Sequence, residues 1–189
     1  MMGAMLRRVI PRVVIRVVIR LLALFSVVLG AAACSEKQAG EIVRFSEGKR
    51  PAAPAISGDL LGGGSYDLAT KQGKVVVINF WGSWCEPCRA EADDLEAVHK
   101  DRPEVEFLGI NIRDERDKAT AFASERSTYP SIFDPPGRLA LKFQEVPPNT
   151  IPATIIVDKR GKITIVIRKA ILKQDLAAMV AEVAGETRA

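Results

Sequence analysis

Histidine and cysteine are scarce in this chain: 189 residues hold one His, His99, and three Cys, at 34, 85 and 88. A zinc site needs four ligands, and beside the pair at 85 and 88 only Cys34, which closes the N-terminal leader, and His99, lower on the helix expected to start at Glu86, remain, so that reading drops out. No His-rich or Met-rich stretch is present to form a dedicated copper site. The N-terminal apolar run, even taken from Leu21 through Ala33, falls short of the ~20 residues a spanning helix needs. Acid is also missing from one end. No Asp or Glu precedes Cys34, whereas Arg7, Arg8, Arg12, Arg16 and Arg20 all do. Those five account for the formal charge of +4, since the rest of the chain has 22 basic against 23 acidic residues. The basic character belongs to the leader, and the remainder has no footprint for nucleic acid.

What is present begins with a signal. The arginines, the apolar run Leu21 to Val28 and the small residues Ala31-Ala32-Ala33 before Cys34 have the layout of a secretory signal peptide. The junction resembles a bacterial lipobox, although Ala31 stands where a Leu is common. Three fates compete: a lipidated Cys34, secretion with Cys34 free, and an uncleaved anchor. All three place the remainder of the chain outside the cytoplasm. The expected organisation is a signal peptide over residues 1–33, a tether over 34–57 that is polar and then Pro- and Ala-rich, and one globular domain over 58–189.

Within that domain the segments alternate. Asp59-Leu61 and Tyr66-Leu68 flank three glycines and read as a short hairpin. Val75 to Phe80 is a continuous β-branched and aromatic run, the signature of a strand buried on both faces. A helix is expected from Glu86 to about His99, with Pro87 in its first turn and acid in its first half. Val105-Ile110 reads as a strand, Lys118 to Arg126 as a helix and Arg138 to Phe143 as a shorter one. Thr154-Val157 and Ile163-Ile167 form a hairpin around Asp158-Lys159-Arg160-Gly161, and Lys173 to Val183 closes the chain as a helix. This order implies a mixed central sheet covered by helices on both faces.

Cys85-Glu86-Pro87-Cys88 sits where the buried strand gives way to the helix. A cysteine at a helix N-terminus faces unpaired N–H groups and the positive end of the dipole, which favour thiolate over thiol. Cys85 is therefore the expected nucleophile. Cys88, one turn further in and less exposed, is placed to attack a mixed disulfide on Cys85. A merely structural disulfide closing so short a loop adds little stability. Glu86 is expected to face solvent and to oppose the thiolate somewhat, which argues against a very strong oxidant. Trp81 and Trp84 are expected to shield and shape the site, and His99 to be solvated or to cap the helix end.

The block Asn79-Phe80-Trp81-Gly82-Ser83-Trp84-Cys85-Glu86-Pro87-Cys88 resembles the thioredoxin superfamily, and within it the extracytoplasmic TlpA/ResA-like thiol-disulfide oxidoreductases, over about residues 58–185. The resemblance implies a thioredoxin-like α/β fold with an extra N-terminal β-hairpin and a cis-proline loop beside the disulfide. That proline would be Pro152, since Thr154-Val157 comes directly after it as a strand; Pro147-Pro148 is the competing assignment. The backbone of Ile151 would then pair with a client chain, and Trp84, Glu86 and Pro87 would border the same contact. Thioredoxins proper carry a buried Asp where this chain has Asn79, which cannot titrate. In ResA-like members a glutamate three residues after the second cysteine does the acid–base work, and here that residue is Glu91.

The resemblance implies no cofactor and no metal. It implies protein thiol and disulfide substrates, apocytochrome c among them, and a membrane thiol-disulfide carrier as electron source. A lipid on Cys34 would hold a monomer at the membrane. Reductase is the first reading and an oxidant of secreted proteins the second. Copper delivery ranks below both, as does a peroxidase, whose Thr-x-x-Cys pattern is absent before Cys85.

Overall fold

The computed structural model describes residues 42–147 and 150–186. The expected signal peptide, Cys34 and Pro148 lie outside them. A six-stranded mixed sheet forms the centre: β1 (Ile42–Arg44), β4 (Val76–Trp81), β5 (Glu106–Ile112), β6 (Ser131–Asp134), β7 (Ala153–Val157) and β8 (Ile163–Ile167), in the order β1-β8-β7-β4-β5-β6. The hairpin β2 (Ser57–Asp59) and β3 (Ser65–Asp67) forms a separate two-stranded sheet. β4, β5 and β6 run parallel, and β7 returns antiparallel to β4.

All six residues of β4 are buried, which explains a run without polar alternation. Its odd-numbered side chains face helices. Val75, Val77, Phe107, Ile156 and Ile165 pack against Leu95 and Val98 of α1 (Glu86–Asp101) and Leu176, Val180 and Val183 of α3 (Lys173–Gly185). α2 (Arg116–Arg126) joins that face at the end of β4, where Ala119 and Phe122 meet Trp81. The even-numbered side chains Val76, Ile78 and Phe80 meet Ile56 and Tyr66 from the hairpin region, with Leu139, Phe143 and Val146. Two 3₁₀ turns, Leu68–Lys71 and Ala140–Lys142, lie on that second side. Each fully buried aliphatic side chain contributes about 1.5–3 kcal/mol, so β4 and its neighbours are the stiffest part of the domain.

Two elements depart from the sequence reading. β6 lies between Pro130 and Pro135 and has only Ile132 and Phe133 as apolar residues, too few for a period to register. The larger departure is in the expected tether: the ordered domain includes residues 42–57. β1 pairs with β8, Phe45 donates its N–H to the Thr164 carbonyl, Ala52 bridges Lys162, and Ile56 is buried. This arm covers the outer edge of β8, which would otherwise present unpaired backbone groups. Arg50 fastens it. Its guanidinium bonds Asp158 at 3.0 Å and both oxygens of Glu186 at 2.6 and 2.7 Å, and the Arg50 and Asp158 side chains are nearly inaccessible.

Removing one member of a buried ion pair leaves the other charge uncompensated, at a cost of about 3 kcal/mol or more. Arg50→Ala is expected to destabilise the oxidised domain by that amount in urea titration, with no change at Cys85 and Cys88. A loss below about 1 kcal/mol would show that the arm does not depend on this network.

Candidate active site

β4 ends at Trp81, and the chain turns through Gly82, Ser83 and Trp84 into α1. Cys85 is the N-cap, and its sulfur accepts the N–H of Cys88 at 3.3 Å. Pro87 in the first turn donates no N–H that the helix needs. Cys85 and Cys88 form a disulfide with S–S 2.02 Å and Cα–Cα 5.2 Å. Exposure does not separate the two cysteines: Cys85 is 4% accessible and Cys88 3%. Both pack with Trp81 and Ala119, and Leu61, Phe122 and Ile151 close around them. Glu86 and Pro87 are exposed, and Trp84 is half exposed.

The Ile151–Pro152 bond is cis. Pro152 is buried and leads directly into β7, while Ile151 is partly exposed against the disulfide cluster. The two segments come together because β7 lies beside β4, with Phe80 opposite Ala153.

Beneath the cysteines lies Glu91, 2% accessible. One carboxylate oxygen accepts Asn79 Nδ2 at 2.9 Å and the other the backbone N–H of Ile171 at 3.0 Å. Asn79 also donates to Thr154 Oγ1 at 3.1 Å, so one amide ties β4 to both α1 and β7. Burial pushes the Glu91 carboxyl up from 4.5 to about 7; the bonds from Ile171 and Asn79 pull the other way without cancelling it, and Asp94 adds repulsion. A small pocket beside this cluster is lined by Asn79, Trp81, Cys88 and Tyr129.

The loop has a second set of ties, which the sequence reading missed. Asp114, just past β5, accepts the Ser83 N–H at 2.6 Å and the Ser83 hydroxyl at 2.8 Å, with further bonds from Asn111 Nδ2 and the Glu115 N–H at 2.9 Å each. Burial pushes its carboxyl up, but these donors outweigh burial and hold it below the usual range. Arg113 has a left-handed backbone, φ 51°, and its carbonyl accepts Trp84 Nε1 at 2.8 Å while its guanidinium lies over the indole. A Cβ at Gly82 would come within 2.9 Å of that indole nitrogen, so any other residue would displace the indole from this position. Arg113-Asp114-Glu115-Arg116 reads as a solvated charge run in sequence. The available signal is topological: β4 and β5 are parallel neighbours with Trp81 opposite Asn111, so the segments leaving them lie side by side.

His99 is not at the site. Its expected solvated role is met only in part: the side chain is partly exposed, but its ring lies 5.3 Å from Phe107 and 5.5 Å from Tyr129 and its Nδ1 is buried. The helix end it was to cap is served instead by the Arg102 N–H, which bonds the His99 carbonyl. Among the described residues no group of three His, Cys, Asp or Glu side chains is placed to hold a metal, and no helix is long and apolar enough to cross a membrane.

Residues 50–166 match the model of the AhpC/TSA family. The chain belongs to that family. The AhpC/TSA match begins within the ordered arm rather than at Gly58, in keeping with the arm's place in the fold. Proteins similar to this chain are thiol-disulfide oxidoreductases. The thiol:disulfide interchange protein HelX of Rhodobacter capsulatus is 34% identical over 115 residues, which is 59% of this chain and 62% of that protein. The thiol-disulfide oxidoreductase ResA of Geobacillus kaustophilus is 29% identical, over 61% of this chain and 67% of ResA. The matches thus span about two thirds of these relatives' length. Among solved structures, a secreted thiol-disulfide isomerase from Corynebacterium glutamicum superposes with a TM-score of 0.71 at 34% identity, covering 80% of this chain and 93% of that one. The AhpC/TSA chain described here has their thioredoxin-like fold.

Glu91 titrates near 7 in the fold and near 4.5 when unfolded. The folded state therefore binds more protons between these values. The stability this group contributes is full below about pH 4.5 and is lost as pH rises through about 7. In urea titrations of the oxidised protein, wild type is expected to lose about 3 kcal/mol relative to Glu91→Gln between pH 4.5 and 7.5. A difference that stays flat across that range would mean Glu91 is not a buried titrating acid.

Proposed function

We propose that this chain is an extracytoplasmic thiol-disulfide oxidoreductase that reduces disulfides in protein clients, with apocytochrome c as the client class that the ResA likeness suggests. In the reduced enzyme the Cys85 thiolate attacks a client disulfide. The client's first sulfur leaves and takes a proton, and a Cys85–client mixed disulfide remains. Glu91 accepts the Cys88 proton, and the Cys88 sulfur attacks Cys85 Sγ. The enzyme disulfide closes and the second client thiolate departs, so two electrons have passed from the dithiol to the client. A membrane thiol carrier returns the enzyme to its dithiol form.

The observation that carries this reading is Glu91: an acid buried one helical turn from Cys88, whose proton affinity lies close to neutral. A base that both takes and returns a proton near pH 7 is what resolution by a buried thiol needs. Ile151 and Pro152 supply the backbone edge on which a client strand lies, and Trp84, Glu86 and Pro87 form its exposed border. Cys34 carries the lipid that keeps a monomeric domain at the membrane. A second reading, disulfide formation or shuffling in secreted proteins, is favoured by the likeness to the secreted isomerase over nearly all of that chain.

The reduction potential of the Cys85–Cys88 couple separates the two. For the chain from residue 34 onward with Cys34→Ser, equilibrated in glutathione and dithiothreitol buffers, we expect a value at or below about −270 mV, whereas a value near −120 mV would establish the oxidant. Cys88→Ser is expected to accumulate the mixed disulfide and Cys85→Ser to abolish exchange. A folded protein whose couple does not exchange would make the disulfide structural.

A further inference from the structure

We infer that Asp114 is a positioning residue for the nucleophile: by gripping Ser83 it keeps Cys85 seated as the N-cap of α1 when the disulfide is open. The inference rests on Cys85 being the attacking sulfur. In the oxidised protein the bond to Cys88 holds Cys85 to the helix end whatever the loop does. In the dithiol that bond is gone, and the sulfur keeps its helix-end donors only if the turn Gly82-Ser83-Trp84 keeps its shape.

The turn is held from outside. Asp114 takes both donors that Ser83 offers, its N–H at 2.6 Å and its hydroxyl at 2.8 Å. Arg89 donates to the Ser83 carbonyl at 3.2 Å, and the Trp84 indole donates to the Arg113 carbonyl. None of these contacts passes through Cys88, so opening the disulfide leaves them in place. Asp114 is itself anchored: Oδ2 is shared between Ser83 N and Asn111 Nδ2, and Oδ1 between Ser83 Oγ and Glu115 N. One oxygen pair thereby couples the end of β5 and the approach to α2 to the loop that delivers the nucleophile. Arg113 is in the left-handed region, a conformation that costs a non-glycine residue free energy. At this corner it directs one backbone carbonyl at Trp84.

Charge and position act in opposite directions here, and that makes the inference testable. The charged groups around the loop and Cys85 are Glu86, Arg89 and the buried Glu91 on α1, Arg113 and Asp114 at the corner, Glu115 at the N-cap of α2 and Lys118 within it. Deleting the Asp114 charge alone favours a nearby thiolate and lowers the Cys85 thiol pKa. Deleting its grip removes the helix-end donors and raises it.

The experiment tracks iodoacetamide alkylation of Cys85 against pH in the reduced full-length protein, resolved by residue with mass spectrometry, and thermal unfolding of each variant. Asp114→Ala is expected to raise the Cys85 thiol pKa by about one unit and to slow alkylation at neutral pH about threefold. That is smaller than the tenfold loss of thiolate because a more basic sulfur is more nucleophilic. Asp114→Asn, which keeps an oxygen for the Ser83 N–H, is expected to restore most of the rate. Ser83→Ala removes one of the two bonds and should shift the pKa the same way by less, which keeps the test open if Asp114→Ala does not fold. A pKa that falls in all the Asp114 variants would make Asp114 only a charge. An unchanged pKa with lowered thermal stability would make it only a brace for the β5–α2 corner, and either result overturns the inference. Failure of the parent reading shows separately, in wild type alone, as Cys88 reacting faster than Cys85.

Discussion

Strand β4 is buried on both faces, and its last residue hands the chain to α1 through a turn of three residues. The position of the redox pair is a consequence of that constraint. A strand locked between two apolar layers cannot slide, because a one-residue slip would move every side chain to the opposite face. The first helical turn after it is therefore delivered to a fixed place. Cys85 meets the N-terminal N–H groups of α1 because the strand ends where it does, and β7, antiparallel to β4, brings Pro152 to the same end of the sheet. The chemistry uses the edge of the stiffest element rather than a free loop, as a site requiring ångström placement of two sulfurs should.

Asn79 shows how the core tolerates polarity near the site. It lies on the helix-facing side of β4, where an apolar side chain would pack well, yet its amide bonds Glu91 on α1 and Thr154 on β7. An Asp there would put two carboxylates about 3 Å apart, and the pair would share a proton rather than titrate as one group. With an amide in that place, Glu91 is a single acid whose affinity is set mainly by burial. The Ile171 N–H fixes its other oxygen and links the acid to the segment leading into α3. Acid, strand and closing helix are in this way parts of one packed unit.

Much of this was legible in the residues. The unbroken run from Val75 to Phe80 reads as a doubly covered strand, and a Cys-x-x-Cys soon after it, with Pro87 in the first turn, reads as the start of a helix. Glu91 falls on the right face by helical spacing alone. What escaped were elements whose stability comes from partners distant in sequence. β1 is three residues long and exists because β8 offers an edge, and the arm behind it is held by Arg50, whose partners Asp158 and Glu186 are more than 100 residues away. Asp114 escaped for the same reason. In sequence it is an acid among charges, and its hold on Ser83 appears only once two parallel strands set their ends side by side. His99 misled in the opposite direction, since a polar residue near a helix end reads as solvated while its ring completes an aromatic cluster.

The direction of electron flow depends on magnitudes that single charges do not reach. The span between a strongly reducing and a strongly oxidising couple, about 150 mV, corresponds to roughly 7 kcal/mol for two electrons. Exposed charge contacts contribute roughly 0–1 kcal/mol, so Glu86 at the surface between the cysteines cannot set the direction, although it is the most visible charge in the motif. A helix N-terminus contributes about 0.3–2 kcal/mol toward the thiolate and hence toward an oxidant. The shift at Glu91 corresponds to about 3 kcal/mol, but its main cause is burial of the carboxyl itself, so it measures the cost of ionising Glu91 and not the effect of Glu91 on the sulfurs. An ionised carboxylate that close to the couple disfavours a second anion on sulfur and so favours the closed disulfide. Neither the helix end, nor Glu86, nor Glu91 spans the gap between reductant and oxidant alone, so the direction of electron flow is set by the sum of these opposing contributions rather than by any one residue of the motif.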